Sequence, residues 1–125
     1  MSTGPMSTGP TVGARDLLAA ERASTQARLA ALKREFDGIV EASAAAATDD
    51  EHDPEGGTTA FERQHLAALI GQARDRLADI AKALDRLDAG SYGQCEQCGR
   101  PIAAERLAAR PAATTCISCA AASRR

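Results

Sequence analysis

The residues best suited to chemistry in this sequence are four cysteines, Cys95, Cys98, Cys116 and Cys119, set as two Cys-x2-Cys pairs with seventeen residues between them. A Cys-x2-Cys step lets one short turn offer two thiolates to the same metal, and two such turns complete a tetrahedron around zinc with bonds of about 2.3 Å. Gly99, directly after the first pair, permits the tight turn in which backbone N–H groups point at the sulfurs. Ala120 holds the equivalent place after the second pair, where a helix starting near Cys116 would supply those N–H groups from its first turn. Two disulfides would need an oxidising compartment, for which there is no targeting signal. A redox pair normally uses a single Cys-x2-Cys beside a sheet, and no strand-rich region is present. One structural Zn2+ is therefore expected, and four thiolates leave it no open position at which to activate water. Ile102, Leu107 and Ile117 are too few to form a core unaided. Metal binding should then supply most of the finger's folding energy, on the order of 10 kcal/mol or more.

The second concentration of chemical groups is acidic. Thr48 to Gly57 carries Asp49, Asp50, Glu51, Asp53 and Glu55 with no base. Taken alone, such a run reads as a solvated loop. His52 lies among these acids as a loop histidine, and His65 reads as the flank of a helix. Neither histidine has a catalytic context, there is no phosphate-binding glycine loop, and an enzyme is not expected.

The elements that carry these groups are two long segments with apolar residues at alternating steps of three and four. Leu18, Thr25, Leu29, Leu32, Phe36 and Ile39 make the first seam, with a polar step at Arg22; Leu66, Leu69, Ala73, Leu77, Ile80, Leu84 and Leu87 make the second. Each segment is free of proline and long enough to extend about 45 to 50 Å as a helix. A seam this narrow needs a partner helix. Pro54, Gly56 and Gly57 between the segments reverse the chain, so the nearest partner is the neighbouring segment. Thr59 and Glu62 have capping-box spacing, which predicts a second helix from about Ala60, and Gly90 provides its stop. The fold class expected is mainly α: an antiparallel helical hairpin over residues 12–89, with its acidic tip at 48–58, followed by a small four-cysteine finger and a short C-terminal helix over residues 90–125. Residues 1–11 are expected to be disordered, because Met1 to Pro5 is copied as Met6 to Pro10, a second start or an expression artefact.

Composition agrees with thin packing. The chain has no tryptophan, one tyrosine and two phenylalanines, too little to fill a thick core. No stretch approaches the roughly 20 apolar residues of a membrane span, and the beginning of the sequence lacks a basic, hydrophobic signal, so a cytoplasmic location is expected. Charge is unevenly placed: both helical segments balance, the intervening loop carries the five acids, and from Gly90 onward five arginines outnumber Glu96 and Glu105. That excess of three is small beside the basic stripe that DNA demands, and a Zn(Cys)4 centre reduces it by about two. Tyr92, the finger's only aromatic, offers no stacking platform. A DNA-binding finger is thus the weaker alternative. A zinc-stapled coiled-coil interaction protein, paired between chains, is another.

The run Tyr92-Gly93-Gln94-Cys95-Glu96-Gln97-Cys98-Gly99, then Arg106-Leu107 through Ala109-Arg110-Pro111, and finally Cys116-Ile117-Ser118-Cys119, resembles the signature of the DksA/TraR family of bacterial transcription regulators. The match covers the last third of the chain, and the hairpin corresponds in architecture. The resemblance implies a partner, RNA polymerase, with the coiled coil inserted in the secondary channel and tip acids, here Asp49, Asp50, Asp53 and Glu55, acting near the catalytic magnesium. Asp50 and Asp53 match the aspartates of the family's Asp-x-x-Asp-x-Ala tip, while Glu55 replaces its alanine; aligning the family's Asp-Pro step on Asp53-Pro54 instead puts Gly56 in place of the second aspartate. Family members that respond to guanosine tetraphosphate use bases at positions that look like Asp79 and Ala120, with only Arg110 retained as a polymerase or alarmone contact. An acid and a neutral side chain hold phosphate poorly, so weak or absent alarmone dependence is expected of a monomeric, non-enzymatic regulator.

Overall fold

The computed structural model describes residues 13–47 and 56–123. Four helices follow one another: α1 (Ala14–Ala47), α2 (Gly56–Ala89), α3 (Ala104–Ala109) and α4 (Ile117–Ser123). The only β feature among the described residues is an isolated antiparallel bridge between Gln94 and Pro101. The architecture is the expected one, two long helices forming a hairpin with a C-terminal cysteine finger. The terminal residues 1–11 and the acids of the loop lie outside the described residues.

The described residues form two compact units. In the described part of Ser24–Arg76, Leu32 of α1 packs with Leu66 and Ile70 of α2, flanked by Leu29, Phe36, Ile39 and Leu69. The unit made of residues 13–23 and 77–123 is built differently. Ala14 and Leu18 from the start of α1, and Ile80 and Ala83 from the end of α2, share one core with Tyr92, Cys95, Ile102 and Leu107 of the finger. The finger's own apolar residues, too few by themselves, are completed by the ends of the two helices. Leu18 and Ile80 are entirely buried. On apolar area alone each contributes about 2 kcal/mol.

Every expected seam position is buried or half-buried, but three details differ. Glu21 turns inward where Arg22 was expected at the polar step, because a step of three from Leu18 and then four to Thr25 follows the 3.6-residue turn equally well. The stripe is also wider, since Ala14, Ile70 and Ala83 are buried beside the seam. Helix α2 begins at Gly56, about one turn before the expected Ala60, so Thr59 lies within the helix and does not cap it. Two glycines weaken a helix by about 1 kcal/mol each in its interior, and local propensity is readily overridden by context.

At its other end α2 stops where expected. Gly90 has φ of 82°, its N–H donates to the carbonyl of Leu87 at 3.2 Å, and the Ser91 N–H reaches back to Arg86 at 2.9 Å. These two bonds are a Schellman closure, which needs the left-handed residue that glycine provides.

Candidate metal centre

The first cysteine pair sits in a turn that its neighbours hold shut. The Cys95 N–H donates to the Arg100 carbonyl at 2.8 Å, the Gly99 N–H to the Cys95 carbonyl at 2.9 Å, and Gly99 adopts φ of 78°. The second pair opens α4. The Cys119 N–H lies 3.5 Å from the Cys116 sulfur, and the Ala120 N–H donates to the Cys116 carbonyl at 2.9 Å. A helix start thus replaces the missing second glycine, as expected. The Glu96 N–H bonds the Thr114 carbonyl at 2.9 Å and ties the two halves of the centre together.

All four sulfurs lie within 4.8 Å of one another, with 3.8 Å between Cys98 and Cys116. A tetrahedron with zinc–sulfur bonds of about 2.3 Å has edges of about 3.8 Å, so the spacing suits one zinc, whereas a disulfide needs about 2.05 Å. Among the described residues the donor set is the four soft cysteine sulfurs, which is the composition of a closed structural zinc site. Zinc bound there would supply four metal–sulfur bonds and offset half of the thiolates' charge. The chain's part is to hold the sulfurs in place.

Backbone donors are aimed at those sulfurs. Burial would raise the Cys95 thiol, but the N–H groups of Cys116, Cys98 and Gln97 outweigh it and lower the group to about 6. Cys116 is lowered, first by the Cys119 N–H. Cys119 goes the other way, pushed up to about 12, because it shares its proton first with Cys116 and then with Cys95, and burial adds to this. The metal must displace the remaining protons. Apparent zinc affinity is therefore expected to fall as pH drops from 8, and to fall more steeply below about 6, where Cys95 also takes up a proton. Competition with a chromophoric chelator across that range measures it, and a flat profile would refute the assignment.

Around the sulfurs, polar groups are spent on structure. The buried Tyr92 hydroxyl donates to the Pro111 carbonyl at 2.7 Å. Its pKa is raised by burial and then by the Glu21 carboxylate, which keeps the hydroxyl a donor. Such a bond contributes about 1 kcal/mol net. Arg106, a candidate DNA contact by charge alone, instead donates its Nε–H to the Thr115 carbonyl at 2.9 Å. Ile117, expected in the core, is 69% exposed, because the first turn of α4 commits its inner face to Cys116 and Cys119. Arg110 is exposed and lines an open groove of about 550 Å³ together with Ile117. Asp79 and His65 are exposed on α2. Asp49, Asp50, Asp53 and Glu55, the tip candidates, lie outside the described residues, as do His52 and the terminal Arg124 and Arg125.

One residue escaped sequence reasoning. Arg86, in the last turn of α2, looks like an ordinary solvated base, yet its guanidinium donates to the carbonyls of Ser91 and Gln94. The signal was its place four residues before Gly90, where the loop must fold back over the helix end.

Comparison with known proteins adds three findings. Residues 90–125 match the family described as the prokaryotic dksA/traR C4-type zinc finger. Among curated relatives, the RNA polymerase-binding transcription factor DksA of Caulobacter vibrioides is 46% identical over 54 residues, which is 40% of this chain and 38% of that protein. The uncharacterised protein YteA of Bacillus subtilis is 41% identical over 66 residues, 53% of this chain and 28% of that protein. The chain thus spans well under half the length of these relatives. In three dimensions it is similar to the transcription factor DksA2 of Pseudomonas aeruginosa, with a TM-score of 0.75, 28% identity, and coverage of 95% of this chain and 86% of that one. The four-sulfur centre and its closing turns agree with these likenesses: residues 90–125 are a zinc finger of the dksA/traR C4 type, and the chain as a whole is similar in fold to DksA2.

Proposed function

We propose that this protein is a non-enzymatic regulator of transcription that binds bacterial RNA polymerase and delivers the tip of its helical hairpin into the secondary channel. The observation that carries the reading is the likeness to DksA2 over 95% of the chain, hairpin and finger together, joined to relatives whose names state polymerase binding. Zinc is the structural staple in this reading. The acids Asp49, Asp50, Asp53 and Glu55 are the effector groups, placed between the two helices in sequence. Arg110, exposed on the finger, is a polymerase contact. Asp79 is an exposed acid and Ala120 is neutral, so neither supplies a cation for a phosphate, and the alarmone does not set activity. Direct DNA binding is no part of the proposal, since the finger's charge excess is small and Arg106 turns inward to Thr115. No helix among the described residues is long and apolar enough to cross a membrane. The protein acts as a monomer where polymerase is, in the cytoplasm.

Zinc-loaded protein is expected to co-purify with bacterial RNA polymerase. A variant carrying Asp50→Asn and Asp53→Asn should bind as well but lose its effect on transcript yield. If the unaltered protein does not bind polymerase, the proposal fails and the hairpin serves another partner. Binding to DNA that falls steeply with salt would favour the nucleic-acid reading instead.

A further inference from the structure

The connection from α2 to the first cysteine pair converges on Arg86. Its carbonyl accepts the N–H of Ser91 at 2.9 Å and of Tyr92 at 3.1 Å. Its guanidinium donates to the Ser91 carbonyl at 3.0 Å and to the Gln94 carbonyl. One residue thus braces the loop from 91 to 94 through both backbone and side chain, and the next residue is the ligand Cys95. From the opposite side the Ile102 N–H bonds the Gly93 carbonyl at 2.7 Å. A base in the last helical turn is favoured by the helix dipole alone, but that attraction needs no particular orientation. Two carbonyls at once do need one: both bonds come from the single Nη2 nitrogen, whose two N–H groups point in fixed directions in the guanidinium plane, whereas a lysine ammonium is a rotating point charge on a flexible stem. The loop is also tied to the base of the hairpin by packing, because Cys95 shares its core with Ala14, Leu18, Ile80 and Ala83.

We infer that Arg86 is a latch through which the metal centre holds the base of the hairpin, residues 14–23 and 77–89, in helical form. With the sulfurs drawn together, the loop has a fixed end, its carbonyls hold Arg86, and the core around Leu18 and Ile80 stays closed. With the metal removed, the loop keeps its bond from Ile102 but loses the fixed position of Cys95, and the helix ends loosen with it. The rest of the two helices has its own cluster of Leu32, Leu66 and Ile70 and does not depend on the metal.

Hydrogen exchange read by mass spectrometry on the full chain tests this, zinc-loaded and after chelation. In the unaltered protein, chelation is expected to speed exchange at least about tenfold at 14–23 and 77–89, and less than about twofold at 29–39 and 66–73. Zinc-loaded Arg86→Gln should already exchange faster at 77–94 and bind zinc about tenfold more weakly, as loss of outer-shell support does. Arg86→Lys should fall between. Arg15→Ala, which removes the exposed pair Arg15–Asp88 at 2.8 Å, should match the unaltered protein. If chelation loosens only 90–123, or loosens 29–39 equally, the coupling is wrong. If Arg86→Gln keeps full zinc affinity and exchange, the latch is wrong. Should Arg86→Gln fail to fold, Arg86→Lys decides by the same two readouts.

Discussion

Cys95→Ser is expected to abolish stoichiometric zinc binding, from one zinc per chain to none detectable at micromolar metal. A serine hydroxyl does not ionise near neutral pH and cannot replace a thiolate already lowered to about 6 by three backbone N–H groups. The loss reaches beyond the metal, because Cys95 is 2% exposed and is itself part of the core. With binding energies on the order of 10 kcal/mol for structural zinc, the finger should unfold at ambient temperature. Elemental analysis gives the stoichiometry, and circular dichroism the fold. Ser118→Ala, between the ligands of the second pair and exposed, is the control that should retain one zinc. A Cys95→Ser protein that still holds a full equivalent would show that three sulfurs suffice and that the site is not closed.

The second large effect is expected at Ile80, which is 0% exposed at the junction between helices and finger. Ile80→Ala removes buried methyl groups and leaves a cavity that neighbours close only in part, a change that costs about 2 to 5 kcal/mol. For a unit of this size each kcal/mol lowers Tm by roughly 4 to 8 °C, so a fall of more than about 10 °C is expected in the zinc-loaded protein. Phe61 provides the contrast. Although larger, it is 73% exposed, and Phe61→Ala should change stability by no more than about 0.5 kcal/mol. Equal losses at the two positions would mean that the packing around Ile80 is not the centre of the unit.

How far these features could be read in advance depended on whether they follow from spacing. The four ligands did, because two Cys-x2-Cys steps have few other uses, and the sulfurs lie within 4.8 Å of one another. The hairpin seam did as well, since Leu18, Leu32, Leu66 and Ile80 recur at helical steps and are buried. Features that depend on tertiary surroundings did not. Ala14 and Ala83 are small residues beside the seam and are buried because the finger covers them. Ile117 is apolar yet exposed, because a helix of seven residues presents one face and the ligands occupy it. Arg86 carries no pattern of its own, and only the fold of the loop turns its guanidinium toward two carbonyls. The early start of α2 at Gly56 runs against glycine's low helix propensity, which is why the threonine and glutamate spacing misled.

The shared core has a consequence for modularity. A segment cut at Gly90 would contain every ligand, and by the sequence match it would look like a self-sufficient cassette. It would nonetheless leave behind Ala14, Leu18, Ile80 and Ala83, and expose the faces of Tyr92, Ile102 and Leu107 that they cover. The transplantable unit is therefore discontinuous in sequence: a graft onto a foreign scaffold must carry two helix stubs, from the start of α1 and the end of α2, or supply a host surface with the same apolar shape.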